Sequence, residues 1–237
     1  MSAVGKRRAA ALTSIFENGT ATIAYDYTEE LGDGRGVTCG RGFTTATGDA
    51  RAVVARYAAR VPDAEVVRFL PALTRLAAER SGDTATLAGF AAAWKRAAAD
   101  PAFRDAQDEL VDAQTFVPAM QLADAAGVQS ELGRALLWDT VFMHGDGDDP
   151  DGAPALVAQA TARAGGRVCD GIEERAWLEA FLRVRESDLR HPSDRASARV
   201  WNEATFRCDV FRAELGKNDQ LAAPVHVHAG GIDATTD

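Results

Sequence analysis

The chain has 237 residues, with 35 Asp and Glu against 26 Lys and Arg, and a formal net charge of -9. Hydrophobic residues make up 46% of the sequence and charged residues 26%, close to the averages of soluble globular proteins, which excludes bulk disorder. The acidic balance argues against a nucleic-acid-binding protein, because contact with a phosphate backbone needs a basic surface.

Helical periodicity begins with a predicted helix over residues 6–17, which should end at Asn18-Gly19 because such residues favour a helix C-cap. The segment that follows is different. Apolar and polar residues alternate at its start and glycines follow, which predicts short strands and loops over residues 20–48. This is the only segment with a convincing β signal.

From residue 49 onward, apolar residues recur at three- and four-residue intervals and predict a series of helices. Pro71 should end or bend one of them, and Pro101 should separate two others. An extended or frayed tail is predicted over residues 216–237. The predicted helices cover residues 49–60, 63–79, 86–100, 102–126, 129–143, 153–164, 171–186 and 193–215.

These elements predict a mainly α (α+β) fold, a single domain over residues 1–237 made of two lobes with a cleft between them. Ligand sites usually lie in such clefts. No window approaches the ~18 apolar residues of a membrane span, so no membrane partner is expected. The basic N-terminal cluster lacks the apolar stretch of an export signal, which leaves a cytoplasmic protein or a mature chain as the two interpretations.

Metal binding is not expected from the sequence. The acidic loop at residues 146–152 departs from the calcium-loop pattern, and His226 and His228, which alternate on a possible strand, are more simply two exposed histidines of a tail. The three cysteines match no zinc spacing, and free thiols are favoured over a disulfide. They are Cys39, Cys169 and Cys208.

Carboxylates are the remaining catalytic candidates, because no serine or cysteine lies in a nucleophile context. Glu17 follows an apolar pair at a helix end, a setting suited to a general acid. Asp33 lies between glycines that leave it open to water, and the hydroxyl of Thr38 could hold that water. Each carboxylate alone is more simply an ordinary surface residue. As a pair they fit an inverting glycosidase, in which one carboxyl protonates the leaving oxygen and the other activates water.

At these residues the sequence resembles the chitosanases of glycoside hydrolase family 46. The seven-residue gap between the tyrosine and the aspartate of the family pattern is kept, and the similarity fades after about Glu186. The matching segments are Glu17-Asn18, Tyr25, Asp33-Gly34-Arg35-Gly36-Val37-Thr38, Gly42-Phe43, Thr47-Gly48-Asp49, Phe69-Leu70-Pro71-Ala72-Leu73, Asp105-Ala106-Gln107 and Trp138-Asp139-Thr140-Val141-Phe142-Met143-His144-Gly145.

The resemblance implies a lysozyme-like endo-chitosanase that hydrolyses β-1,4 links between glucosamine units with inversion and without a metal or organic cofactor. It implies that Glu17 is the general acid, that Asp33 is the general base and that Thr38 positions the attacking water. The remaining implied residues are Arg35, Asp49, Tyr25 and His144 for substrate binding, and Asp139, Arg185 and Arg199 for a supporting charged network.

The resemblance also implies an extracellular monomer whose partner is chitosan, a cationic polysaccharide. Arg41 departs from the family pattern, and a basic group there is expected to repel a cationic glycan. Two alternatives stay open at this point. One is a lysozyme-like hydrolase of peptidoglycan or chitin, and the other is a helical glycan-binding protein without catalysis.

Overall fold

The computed structural model describes residues 1–193, 195 and 198–237. The described part is mainly helical, with a small antiparallel sheet near the N-terminus, which confirms the predicted fold class. Part of the predicted helix over residues 193–215 lies outside the described residues, namely Asp194, Ala196 and Ser197. None of the helices in the described ranges combines the length and apolar character that crossing a membrane would need.

The regular elements follow one another along the chain with short connections. The helices are α1 (Ala3–Asn18), α2 (Asp49–Ala58), α3 (Leu70–Glu79), α4 (Phe90–Ala97), α5 (Pro101–Val111), α6 (Val117–Ala126), α7 (Glu131–His144), α8 (Ala153–Ala164), α9 (Glu174–Arg190), α10 (Ala198–Glu203) and α11 (Phe206–Glu214). The strands are β1 (Thr28–Glu30), β2 (Val37–Cys39), β3 (Phe43–Thr44), β4 (His226–Ala229) and β5 (Ile232–Thr235).

The chain divides into two compact units. The terminal unit comprises residues 1–22 and 115–237, and the inner unit comprises residues 23–114. The inner unit contains the sheet, in the order β1-β2-β3, with helices α2 to α5. Each unit has its own buried apolar residues, which include Val53, Leu73, Phe90, Trp94 and Phe103 in the inner unit and Leu12, Ile15, Trp177, Phe181 and Phe211 in the terminal unit.

Helix α1 has well-defined ends. The Ser2 hydroxyl accepts a hydrogen bond from the Gly5 amide at 3.0 Å and caps the N-terminus. Gly19 takes the left-handed conformation, with φ of 70°, and ends the helix as the sequence predicts. Glu17 is thereby fixed in the last turn of α1.

Three predicted helices are interrupted. A 3-10 turn at Glu65–Phe69 precedes α3, because Pro71 is accommodated only in the first turn of an α-helix. A π-helical turn at Asp112–Phe116 separates α5 from α6. The chain also leaves the helical path between α10 and α11, around Ala204 and Thr205.

Residues 226–235 form a β-hairpin instead of the predicted extended or frayed tail. Strands β4 and β5 are joined by Gly230 and Gly231, whose φ angles of 63° and 78° suit a tight hairpin turn. Val227 points inward and is fully buried. The hairpin is therefore a packed part of the terminal unit and a second β element.

The three cysteines are free thiols, as the sequence favours. Cys39 and Cys208 are buried, whereas Cys169 is exposed. Burial raises the pKa of the Cys39 thiol well above its ordinary value, so this residue is an inert part of the sheet.

Candidate active site

Glu17 is the exposed end of a chain of charges in the terminal unit. Its Oε1 accepts a hydrogen bond from the Arg207 guanidinium at 2.6 Å. Arg207 lies on α11, stacks over the Phe16 ring at 5.3 Å and donates a second bond to Asp139 Oδ1 at 3.1 Å. The carboxylate of Glu17 remains 37% exposed while its partner Arg207 is 6% exposed. A buried cation therefore holds a carboxylate that substrate could still reach.

Asp139 links this pair to a second arginine. Its Oδ2 accepts from Arg185 at 2.6 Å, and both side chains are almost wholly buried. Burial opposes ionisation, but Arg185 and Arg207 outweigh it and hold the pKa of Asp139 below its ordinary value. Burial similarly opposes the charge of Arg207, yet Asp139 and Glu17 raise its pKa. Charges of alternating sign thus run from Glu17 through Arg207 and Asp139 to Arg185.

His144 is predicted to bind substrate, and the structure corrects this. Its imidazole has no exposed surface, since Nδ1 faces the Asp151 carbonyl at 3.0 Å and Nε2 faces Arg185 Nε at 3.4 Å. Burial, with Arg185 beside it, lowers the pKa of His144 to about 3. A neutral ring that donates from Nδ1 and accepts at Nε2 satisfies both neighbours. His144 therefore accepts a hydrogen bond from Arg185 and orients its buried side chain.

Asp188 and Asp151 lie next to this histidine. The Asp188 carboxylate approaches His144 Nδ1 at 3.5 Å, and burial together with Asp151 raises the pKa of Asp188 to about 7. Asp151 accepts hydrogen bonds from the amide and hydroxyl of Ser193 at 2.9 and 2.6 Å. Asp188 therefore keeps its proton in mildly acidic solution, which relieves the repulsion between the two carboxylates.

The structure brings Asp139 and Arg185 into the predicted charged network but not Arg199. The Arg199 side chain is 84% exposed and pairs with Glu203 on the same helix. Arg207 occupies the position in the network that was predicted for Arg199. The sequence contains a signal for Arg207, because it interrupts the apolar positions of an amphipathic helix, but its partner Glu17 lies 190 residues away.

We expect Asp139→Asn to destabilise the protein strongly. The amide would keep the shape of the side chain but leave Arg185 and Arg207 without a buried anion, a loss of about 3–5 kcal/mol. For a chain of this size that corresponds to a fall of about 10 °C in Tm, which calorimetry measures. Asp209→Asn, which removes an exposed partner of Arg212 in the same unit, should cost below about 1 kcal/mol. Equal Tm values for the two variants would contradict the buried-network account.

In the inner unit, Asp33 and Arg35 form a closed local pair. The Asp33 carboxylate accepts from the Arg35 amide at 3.0 Å and from Arg35 Nε at 2.8 Å. These bonds from Arg35 lower the pKa of Asp33. The flanking Gly34 and Gly36 have φ angles of 81° and 77°, so the turn requires glycines there. Asp33 is therefore held as an anion, and Arg35 orients it.

Thr38 lies in the middle strand of the inner sheet, paired with Glu29 on one side and Thr44 on the other. Its side chain is buried, and its hydroxyl has no hydrogen-bond partner among the described residues. A buried polar group without a protein partner is a place where water or ligand binds. The positioning of the attacking water by Thr38 stays a prediction.

Tyr25 and Arg41 both bind the carboxylate of Asp108. Its hydroxyl donates to Asp108 at 2.9 Å, and its carbonyl accepts from the indole of Trp94 at 2.9 Å. Burial and Asp108 raise the pKa of Tyr25 to about 12. Arg41 binds the other oxygen of Asp108 at 2.7 Å. The positive charge of Arg41 is therefore paired, which removes the reason for the predicted repulsion of a cationic glycan.

Asp49 is fixed at the first turn of α2. Its Oδ2 accepts from the Thr47 hydroxyl and its Oδ1 from the Gln114 amide, at 2.7 and 2.8 Å. Gln114 reaches it from the π-helical turn, a type of distortion that often occurs at functional sites. An oriented, partly exposed carboxylate of this kind can bind an ammonium group.

Comparison with known proteins identifies the family. The sequence model described as Glycosyl hydrolase family 46 matches residues 11–225. The chain belongs to this family. It is therefore a glycoside hydrolase, and the resemblance carried by the Glu17 and Asp33 motifs is confirmed.

Individual family 46 relatives are similar over almost the whole chain. A chitosanase of Bacillus subtilis (strain 168) is 50% identical over 226 residues, which cover 94% of this chain and 82% of the relative. Native chitosanase from Bacillus subtilis MY002 has a crystal structure with a TM-score of 0.86, 48% identity and 100% coverage of both chains. A family 46 chitosanase of Gynuella sunshinyii, solved as a complex with chitotetraose, gives 0.85 at 40% identity, with 100% and 99% coverage.

Proposed function

We propose that this glycoside hydrolase is an endo-acting chitosanase that cleaves β-1,4 links between glucosamine units and inverts the anomeric configuration. The observation that carries the proposal is the pair of carboxylates in the family motif. Glu17 is held by Arg207, and Asp33 is held by Arg35. The chitosanase relatives support the choice of substrate. In the proposed reaction Glu17 gives its proton to the leaving oxygen and Asp33 takes one from the attacking water.

Arg207 orients the proposed acid. Because Arg207 also binds the buried carboxylate of Asp139, its charge is shared between two anions. The network therefore fixes the position of Glu17 in the terminal unit.

The proposed base is deprotonated at the mildly acidic pH at which the amines of chitosan are protonated. Arg35 lowers the pKa of Asp33, so this carboxylate stays ionised at mildly acidic pH and can accept a proton. The unpartnered hydroxyl of Thr38 would position the water. Acid–base hydrolysis of this kind needs no metal or organic cofactor.

The charges of the chain suit a polycation. Asp49 presents an oriented carboxylate for a glucosamine amine, and Arg41 is neutralised by Asp108. The net charge of -9 would draw a cationic polymer toward the protein. We extend the proposal to an extracellular protein, since a polysaccharide is met outside the cell, and to a monomer, as the family resemblance implies.

Parallel assays on three polymers test the substrate. We expect reducing ends to be released from deacetylated chitosan at least about 100-fold faster than from chitin or peptidoglycan, because acetylation removes the amine charge that Asp49 would bind, and a hydrogen bond to a charged group contributes about 1.5–3 kcal/mol. Glu17→Gln is the blank for each polymer. Faster release from chitin or peptidoglycan would overturn the substrate, and binding of chitosan without cleavage would overturn the catalytic assignment.

A further inference from the structure

The C-terminal hairpin carries a cluster of metal-ligating side chains on its outer face. His226 and His228 are two residues apart on β4, so both imidazoles point to the same side, and Asp233 lies directly opposite His228 on β5. Among the described residues, this is the group whose ligand atoms could hold an ion, all within 4.8 Å of one another. The pairing of β4 with β5 thus brings Asp233, five residues after His228, beside both histidines as a third ligand.

Both histidine-to-carboxylate distances match those between ligands of a tetrahedral ion. His226 Nε2 lies 3.4 Å from one oxygen of Asp233, and His228 Nδ1 lies 3.5 Å from the other. With zinc-to-ligand bonds of about 2.0–2.2 Å, adjacent ligand atoms of a tetrahedral site are about 3.4 Å apart. The imidazoles are parallel, within 7°, with centroids 6.3 Å apart. A small rotation of these exposed rings brings both nitrogens to one ion.

A neighbouring hydroxyl can orient the His226 ring for metal binding. His226 Nδ1 lies 2.8 Å from Thr235 Oγ1, on the same outer face of the hairpin. In the tautomer in which Nδ1 donates to that hydroxyl, Nε2 has its lone pair free on the side of Asp233. Metal-ligating histidines are typically oriented by such a second hydrogen bond.

The hairpin itself is anchored, so the ligands are held in register. Val227 is fully buried on its inner face, and the Val225 amide donates to Thr236 Oγ1 at 2.8 Å. At the turn, Gly230 lies against Phe206, where a Cβ atom would come within 2.7 Å of the ring. A rigid strand pair loses little freedom when an ion joins its two strands.

We propose that His226, His228 and Asp233 form a binding site for one divalent transition-metal ion of the Zn²⁺ class, which cross-links β4 to β5. Two imidazoles and a carboxylate are ligands suited to Zn²⁺ and, more tightly, to Cu²⁺. The site shares no residue with the candidate active site. It does not depend on the proposed glycan hydrolysis.

Calorimetric titration with Zn²⁺ tests the site. The protein is the tag-free, metal-stripped full chain carrying Cys169→Ser, because the exposed thiol is a competing ligand. We expect one equivalent to bind, and we expect His228→Ala and Asp233→Asn each to weaken binding by about tenfold or more. His191→Ala, which removes an exposed histidine outside the cluster, should bind as the parent does. Parent-like affinity in both cluster variants would overturn the proposal.

Electron paramagnetic resonance of the same protein with Cu²⁺ counts the nitrogen ligands directly. We expect splitting from two imidazole nitrogens in the parent and from one in His228→Ala. Circular dichroism of each variant verifies that the fold is kept, so that a lost ligand is not confused with a lost hairpin. A spectrum without nitrogen splitting, or one unchanged in His228→Ala, would contradict the site.

Discussion

Glu17→Gln should lower kcat on chitosan by about 10³-fold, the usual contribution of a positioned general acid. The amide has the same shape and can still accept a hydrogen bond from Arg207, but it has no acidic proton for the leaving oxygen. Reducing-end release under substrate saturation measures the effect. Because Glu17 is partly exposed and lies at the end of α1, we expect little change in Tm.

The matched control for this change is Glu203→Gln. Glu203 is also a helical glutamate paired with an arginine in the terminal unit, but it lies on the surface beside Arg199. It should retain parent activity. Turnover by Glu17→Gln within tenfold of the parent would remove Glu17 from the mechanism, whereas the same loss in both variants would attribute the effect to the loss of any helical carboxylate.

Asp33→Asn should reduce kcat by a similar factor of about 10³, because an amide cannot take a proton from the attacking water. The turn should survive, since Asn can accept the same hydrogen bond from the Arg35 amide. Azide offers a direct test of the role. In Asp33→Ala, azide could occupy the space of the lost carboxylate and attack without a base, so it should restore turnover and give the α-glycosyl azide.

Asp83→Asn is the control for the base. Asp83 accepts from the amide two residues on, at 2.9 Å, as Asp33 does, and it lies in the same unit. It should retain full activity and show no response to azide. Production of a β-glycosyl azide by Asp33→Ala would mean a covalent intermediate and contradict the assignment of Asp33 as base.

The helical parts of the fold were predictable because their signals are local. Asn18-Gly19 ends α1 and Pro101 begins α5, each through backbone chemistry visible in a few residues. The hairpin at residues 226–235 also has a local signal, since alternating residues flank Gly230-Gly231. That pattern favours a hairpin over the predicted frayed tail.

The candidate site was predictable only where residues lie close together in the sequence. The pairing of Asp33 with Arg35 follows from one turn, whereas Arg207 meets Glu17 across 190 residues. Asp108 was missed for the same reason, because its partners Tyr25 and Arg41 lie in another segment. His144 was placed by a motif that says nothing of burial, and burial decides its role.

Time-resolved ¹H NMR of glucosamine hexamer hydrolysis by the parent chain tests the central claim most directly. The anomeric signal of the first new reducing end reports both cleavage and stereochemistry, before mutarotation mixes the anomers. Action by Glu17 as acid and Asp33 as base on a water molecule predicts the α-anomer as the initial product. An initial β-anomer, or no cleavage of the hexamer, would contradict the account.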